Sequence, residues 1–151
     1  PVARAHVPDL YAAEIVYGSG HRHSSLYQAA WIARQIGASS PQRKDNHTFT
    51  FQKGSTPFTI ALKEDPDAST ALPRMTLWSA SKGVFQIETW AQCDHITARA
   101  QTGERTREYV LPSLAPAEES LVNEILMRSG SNLLLARLLP QFQELLRLGA
   151  T

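Results

Sequence analysis

The sequence lacks the features on which several specialised classes of protein depend. Cysteine occurs once, as Cys93, so no internal disulfide can form and a small secreted scaffold held by disulfides is excluded. The longest apolar run, Leu133 to Leu139, is interrupted by Arg137 and falls far short of the roughly 20 residues that span a bilayer. No basic segment followed by an apolar one marks a signal peptide. We therefore expect a cytoplasmic protein with no membrane partner.

An excess of charge of either sign is also missing. Fifteen Lys and Arg residues stand against fourteen Asp and Glu residues, which gives a formal net charge of +1. Non-specific binding to nucleic acid depends on a broad basic field, and none is present. The charge balance therefore predicts no nucleic-acid partner.

Glycine-rich phosphate-binding loops are absent as well. Gly18-Ser19-Gly20, which precedes a predicted helix, is the nearest candidate. Neither a complete dinucleotide fingerprint nor a Lys-Ser or Lys-Thr pair follows in register. We therefore expect the chain to bind no cofactor.

The length and composition of the chain predict one globular domain. It has 151 residues, of which 42% are hydrophobic, and a chain of this size can build its own core. Residues 1–10 carry two prolines and little pattern, and we interpret them as a linker or terminal arm. Residues 11–151 are predicted to form the single domain. Because the chain starts at Pro1 without Met, we expect it to be a piece of a longer protein.

The first clear helix is predicted over Ser25 to Ile36. Apolar residues recur at helical spacing along this segment, which predicts one buried face. Ser25 and Gln28 have the spacing of a capping box, so Ser25 is the expected N-cap. Gly37 is the expected left-handed stop.

The middle of the chain has the alternation of β-strands. Apolar and polar residues alternate between His47 and Leu111, and turn sequences divide this region into three hairpins. Together with a short strand over Ala12 to Gly18, they predict a mainly antiparallel sheet of about six or seven strands. The turns are Gly54-Ser55, Ser81-Lys82-Gly83 and Thr102-Gly103.

The C-terminal region is predicted to be helical. One helix begins near Pro116 and ends at Ser129-Gly130, with Leu121, Val122, Ile125 and Leu126 on its apolar face. A second begins after Asn132, and Pro140 is expected to break it because proline lacks an amide hydrogen. The predicted fold class is therefore α+β, with one N-terminal helix and C-terminal helices packed on the sheet.

Two groups of residues could carry chemistry. His21 and His23 could bind a metal only if a third ligand arrived from elsewhere, so a polar loop is the preferred interpretation and no metal is predicted. Cys93 and His95 have the residue types of a thiol nucleophile and its base, but no activating geometry can be inferred from the sequence. A thiol-dependent or hydrolytic enzyme is therefore kept as an alternative function, and Cys93 as a possible redox thiol.

Three arginines form a basic group on the last hairpin. Arg99, Arg105 and Arg107 could meet phosphate or an acidic partner, although such a group is more often a solvated sheet edge. A weak nucleic-acid-binding module is the second alternative function. The balanced charge argues against it.

Several segments together resemble a known family. They are Ala29-Ala30-Trp31-Ile32-Ala33 through Gly37, then Leu111-Pro112, and then Glu119 to Gly130 followed by a helical tail. In this order they are similar to the C-terminal domain of the glucose-6-phosphate dehydrogenase assembly proteins, the OpcA family. The resemblance covers about Ile15 to Leu146, and the tail departs from the family in carrying Leu133-Leu134-Leu135.

The resemblance implies a non-catalytic regulator. Such a domain binds glucose-6-phosphate dehydrogenase and activates it or assists its assembly in the oxidative pentose phosphate pathway of bacteria, and it has no catalytic residue to transfer. The family's N-terminal domain would be missing from this chain. The expected partner-binding residues are His21, Arg22, His23, Arg99, Arg105, Arg107 and the loop Glu64 to Thr70.

Overall fold

A computed structural model describes residues 7–68, 70–89, 95–112 and 133–149. Within these ranges, eight strands form one sheet and two α-helices pack on it, after a short 3-10 helix over Val7–Asp9. The elements in chain order are β1 (Leu10–Gly18), α1 (Arg22–Gln35), β2 (Ser39–Arg43), β3 (Thr48–Lys53), β4 (Thr56–Asp65), β5 (Arg74–Ser79), β6 (Gly83–Thr89), β7 (His95–Thr102), β8 (Arg105–Pro112) and α2 (Leu133–Gly149).

The sheet is mixed, with the strand order β2-β3-β4-β1-β5-β6-β7-β8. Every neighbouring pair is antiparallel except β1 and β4, which run parallel with Ala12 opposite Thr59 and Gly18 opposite Asp65. A parallel neighbour requires a crossover, and here α1, β2 and β3 provide it. The α+β class with helices packed on a sheet is thus confirmed. The predicted count of six or seven strands is wrong, and the sheet predicted as mainly antiparallel is mixed, with one parallel pair.

The strand that the sequence did not reveal is β2, at one edge of the sheet. Its sequence, SSPQR, has no alternation, and Pro41 removes one hydrogen-bond donor. Ser40 has a φ of 53°, and the register with β3 shifts between Ser39 and Gln42. These irregularities are tolerated because an edge strand pairs on one side only.

The core lies between the helices and one face of β1, β3 and β4. Aromatic and branched side chains of these strands point toward α1, which meets them with alanines at helical spacing. Alanine has no side chain beyond Cβ, so the helix approaches the sheet closely. Burying each large apolar side chain contributes about 1.5–3 kcal/mol. The fully buried strand residues include Ile15, Tyr17, Phe49, Phe51, Phe58 and Ile60.

The start of α1 differs from the prediction, whereas its end agrees. The helix begins at Arg22, and Ser25 lies inside the first turn, where its hydroxyl donates to the Arg22 carbonyl oxygen at 2.7 Å. His21 occupies the N-cap position without a side-chain cap bond. The capping-box pattern was misleading because Ser25 is buried and bonds backward instead of forward. Gly37 has the predicted left-handed conformation, with a φ of 72°.

The predicted break at Pro140 is also wrong, because α2 is continuous from Leu133 to Gly149. Leu138 and Leu145 lie on either side of the proline and are both buried in the core. The Arg43 guanidinium donates to the Leu148 carbonyl oxygen at 3.0 Å and fixes the far end. These tertiary contacts offset the cost of about 3 kcal/mol that proline imposes inside a helix.

Two sequence predictions fall outside the described residues: the helix over 116–129 and the thiol of Cys93. Among the helices that are described, neither has the length and apolar character needed to cross a membrane.

Candidate functional site

The parallel pairing of β1 and β4 brings two loops to the same end of the sheet. Gly18 and Asp65, the last residues of the two strands, lie opposite each other. One loop continues from Gly18 into α1, and the other continues from Asp65 toward β5. We call the segments Gly18–His23 and Glu64–Ala68 together the loop site. Ligands of open sheets commonly bind outside the carboxyl ends of parallel strands.

A close backbone approach holds the β4–β5 connection against β1. The Gly18 amide donates to the Ala71 carbonyl oxygen at 3.1 Å. A Cβ atom added to Gly18 would lie 2.6 Å from the Thr70 carbonyl oxygen and 3.3 Å from that of Ala68. Only glycine therefore fits here. Beside it, the Thr70 hydroxyl oxygen is buried without a hydrogen-bond partner in the described structure.

The loop site places imidazoles on one loop and carboxylates on the other. His21 and His23 are exposed, whereas Arg22 is half-buried and donates to the Asn46 carbonyl oxygen at 2.9 Å. Asp65 accepts a hydrogen bond from a backbone amide of its own loop at 3.1 Å. Imidazole and carboxylate are the side chains that most often transfer protons in enzymes. The loop site therefore has groups suited to acid–base chemistry and to binding polar ligands.

The loop site does not fit a dinucleotide pyrophosphate. Gly18-Ser19-Gly20 follows a strand and leads into a helix, as in a dinucleotide fingerprint. However, the space in front of Gly18 is filled by the Thr70 carbonyl oxygen, which would repel phosphate. The next strand, β2, lies at the sheet edge and is not a parallel neighbour of β1.

Among the described residues, no group of three or more His, Cys, Asp or Glu could hold a metal ion.

The three arginines of the last hairpin do not share one face. Arg99 lies opposite Glu108 and forms an ion pair with it, the guanidinium nitrogen being 2.8 Å from the carboxylate oxygen. The hydrogen bonds to Glu108 raise the pKa of Arg99 above its usual value. Arg107 lies opposite Ala100 and therefore faces the other side, as does Arg105. The two-residue turn Gly103-Glu104 fixes this register, so the split could have been read from the sequence.

The arginines are also distant from the histidines. Arg105 lies at the end of β8 that is level with the start of β1, whereas the loop site is at the end of β1. The structure thus places His21, Arg22 and His23 after the end of β1 and the Glu64–Thr70 segment at the neighbouring end of β4, and it leaves the arginine group elsewhere. His95 begins β7, three strands from β1, and its proposed partner Cys93 is outside the described residues.

A second feature, which was not predicted from the sequence, is a concavity of about 260 Å³ on the helix side of β5 to β8. It forms because Ala98 and Ala100 lie between larger side chains: Ala98 is flanked by Ile87 and Tyr109. Small residues on β7 between large residues on β6 and β8 form the sequence pattern from which this concavity could have been predicted. Its lining is almost entirely apolar, so it offers few groups for chemistry.

The comparisons with known proteins rest on structure. No family model and no curated protein matches the sequence. The fold is similar to a 3-ketoreductase from Actinomadura kijaniata in complex with TDP-benzene and NADP, with a TM-score of 0.62 and 7% identity over 95% of this chain and 53% of that chain. It is also similar to an aldose-aldose oxidoreductase from Caulobacter crescentus complexed with glycerol, with a TM-score of 0.52 and 14% identity over 99% and 56% of the two chains.

These findings overturn the predicted family and what it implied. The expected membership of the OpcA assembly proteins is wrong, since the chain shares its fold with oxidoreductases. The expectation of a non-enzymatic regulator fails with it, as does the expected partner, glucose-6-phosphate dehydrogenase. The sequence misled because a helix with small residues and a helix ending in Ser-Gly occur in many α+β domains. The chain spans about half the length of the solved oxidoreductases that it matches, and in fold it is similar to that half of them.

Proposed function

We propose that this chain is the substrate-side part of a dehydrogenase or reductase that acts on a hydroxyl or carbonyl group of a small polyhydroxylated molecule. The observation that carries the proposal is the similarity in fold to the 3-ketoreductase over 95% of the chain. The second relative, an aldose-aldose oxidoreductase, supports the same class of substrate. The substrate would bind at the loop site.

The loop site supplies what this chemistry needs from the protein. When a carbonyl gains a hydride, its oxygen requires a proton, and histidine is the most common donor near neutral pH. His21 and His23 are exposed at the start of α1, where the helix dipole also favours developing negative charge on the substrate oxygen. The carboxylates of Glu64 and Asp67, both exposed, can accept hydrogen bonds from substrate hydroxyl groups.

A dinucleotide would supply the hydride in such a reaction. Because the loop beside Gly18 does not fit a pyrophosphate, the dinucleotide would bind to a part of the enzyme other than the described residues. The expectation that this chain by itself holds no cofactor remains a prediction. The division into a terminal arm over residues 1–10 and a unit over 11–151 belongs to the same proposal, with the boundary moved so that Leu10 stays in β1, and so does the cytoplasmic location.

The test is a ligand titration that is monitored through the backbone amide NMR resonances of the protein. Glycerol, D-glucose and TDP-glucose should shift the resonances of residues 18–23 and 64–68, and a His21→Ala/His23→Ala double variant should weaken that response at least tenfold. His95→Ala is the matched control, because it removes an imidazole three strands away. The proposal is wrong if all three ligands leave the loop site unchanged, or if they shift only the residues of the β5–β8 concavity.

A further inference from the structure

The outward side of the helix layer carries exposed aromatic residues. On α1, His23, Tyr27, Trp31 and Arg34 recur at intervals of four, four and three residues and so lie on one face. This face points away from the sheet, because the alanines of α1 are buried on the other side. Tyr27 is 39% exposed and Trp31 is 40% exposed. The outward face of a helix that covers a sheet is ordinarily polar, so these two aromatics require an explanation.

The exposed surface continues from α1 onto α2. The Tyr27 ring meets the Phe142 ring edge-on, with centroids 5.6 Å apart and an interplanar angle of 80°. Leu139, one turn before Phe142 on α2, is 45% exposed. We call Tyr27, Trp31, Leu139 and Phe142 the aromatic stripe. Trp31 lies one turn beyond Tyr27 on α1, and His23 and Arg34 flank the stripe on that helix as a polar rim.

The aromatic stripe begins beside the loop site. His23 belongs to both, and Tyr27 follows it after about 6 Å of helix rise. Trp31 lies about 12 Å along the helix from His23. A protein body resting on the stripe would therefore reach over the loop site.

We propose that the aromatic stripe is the docking surface of the dinucleotide-binding part of the enzyme. This inference rests on the proposed function. Hydride transfer requires the reacting atoms of cofactor and substrate to come within about 3.5 Å, so the part that holds the cofactor has to contact this chain next to the loop site. The solved relatives are about twice as long as the matched region, which leaves room for such a part in each of them.

The other exposed large apolar residues of the described structure are badly placed for this role. Tyr11 is near the start of β1, at the opposite end from Gly18, and Ile87 lines the β5–β8 concavity. Tyr109, Val110 and Leu111 lie on β8, four strands from β1, which is roughly 20 Å at the usual strand spacing. The composition of the stripe also suits an interface. Tyrosine and tryptophan with a polar rim are typical of the few residues that supply most of the binding energy between proteins.

The experiment replaces Trp31 with a photo-crosslinking benzophenone amino acid. Separate samples carry the same amino acid at position 11 or position 109. Each protein is expressed in the organism from which the sequence comes. Tyr11 and Tyr109 are matched controls because both are exposed aromatic positions away from the stripe. Position 31 should crosslink to a polypeptide that is retained on immobilised NADP and eluted by free NADPH, whether it belongs to the same chain or to another. Trp31→Ala should weaken binding of that polypeptide about thirtyfold, Trp31→Phe much less, and Tyr109→Ala not at all.

Three results would overturn the inference. They are a crosslink from position 31 to residues 1–151 of a second copy of this chain, a crosslink from 31 to a polypeptide that does not bind NADP, and an NADP-binding partner that crosslinks from 109 or 11 but not from 31. The last result would leave the proposed function standing, because it identifies a cofactor-binding partner on a different surface. Failure of the ligand titration at the loop site, in contrast, would remove the proposed function whatever position 31 contacts. Equal unfolding temperatures of Trp31→Ala and the unmodified chain would exclude loss of fold as the cause.

Discussion

One half of the sheet is covered by helices and the other half is not, as far as the described residues extend. Phe49, Phe58 and Ile60, in the half formed by β1 to β4, have no exposed surface. Ile87 on β6 is 38% exposed and Tyr109 on β8 is 48% exposed, although both lie on the helix side of the sheet. Both halves show the same alternation in sequence. Alternation therefore reveals which side chains share a face, but not whether anything packs against that face.

The largest expected effect is a difference in stability between the two halves. Phe58→Ala should lower the free energy of unfolding by about 3–5 kcal/mol, because it removes a fully buried ring and leaves a cavity. Tyr109→Ala should lower it by less than about 1 kcal/mol, because half of that side chain is already in water. Urea unfolding of both variants measures this. Similar losses in the two variants would mean that the outer strands are covered as well.

The next prediction compares the loss of stability when a glycine in each half of the sheet is replaced by alanine. Gly18→Ala should destabilise by about 2 kcal/mol, because the new Cβ would lie 2.6 Å from the Thr70 carbonyl oxygen and the backbone must shift. Gly103, in the β7–β8 turn, has open space around it, so an added Cβ would meet no neighbour. Its φ of 60° is unfavourable for alanine, and Gly103→Ala should therefore destabilise the protein by about 1 kcal/mol. Thermal unfolding of both variants tests the order. If Gly103→Ala is the more harmful of the two, the close contact at the loop site is not rigid.

A third prediction concerns the helix that covers the first half. Pro140→Ala should stabilise the protein by about 1 kcal/mol or more, since alanine restores a helix hydrogen bond and removes the clash with the preceding turn. The proline is exposed, so its replacement leaves no cavity in the core. Circular dichroism on heating measures the change. A decrease in unfolding temperature would show that the proline serves the packing of α2.

The smallest expected effect is a pH dependence of stability that comes from Lys53. This residue forms hydrogen bonds near the start of β1, the strand at the border of the two halves. Its ammonium group donates to the carbonyl oxygens of Val7, Pro8 and Leu10 at 2.7, 2.6 and 3.0 Å. Burial lowers the pKa of Lys53 below its usual 10.5, although the charge of Asp9 opposes this. The folded state therefore loses its proton at a lower pH than the unfolded state.

The sign of the pH effect follows from this order of proton loss. Between the lowered pKa and 10.5 the unfolded state binds more protons, so Lys53 makes stability rise slightly with pH in that window. Lys53→Met should remove this small rise, and Lys63→Met, which removes an exposed lysine, should not. Urea unfolding at pH 8.5 and pH 10.5 measures both slopes. A slope that Lys53→Met leaves unchanged would contradict the assignment.

The sequence predicted the local elements better than their arrangement. The helix ending at Gly37 and the three hairpins follow from short-range patterns, and each is present. The parallel pairing of β1 with β4 was not predictable in the same way, because it joins Gly18 to Asp65 across 47 positions and depends on the crossover. The helix through Pro140 likewise depends on the burial of Leu138 and Leu145, which no local pattern reveals.

The candidate site was predictable only in part. His21, Arg22 and His23 stand out in the sequence, and so does the acidic loop over Glu64 to Thr70, but nothing in the sequence shows that the two loops meet. Helical periodicity leaves Tyr27 and Trp31 off the buried face of α1, so their exposure was readable from the sequence, whereas the contact of Tyr27 with Phe142 of α2 was not.

The position of β1 has a consequence for how the chain is made. Among the described strands this one leaves the ribosome before the others, yet it lies in the middle of the finished sheet, between partners supplied by residues 56–65 and 74–79. Until those residues emerge, both edges of β1 lack their hydrogen-bonding neighbours. Closing such distant pairs is slow and leaves apolar strand edges open to other chains. Synthesis of this sheet should therefore depend on chaperones more than that of a sheet in which only consecutive strands pair.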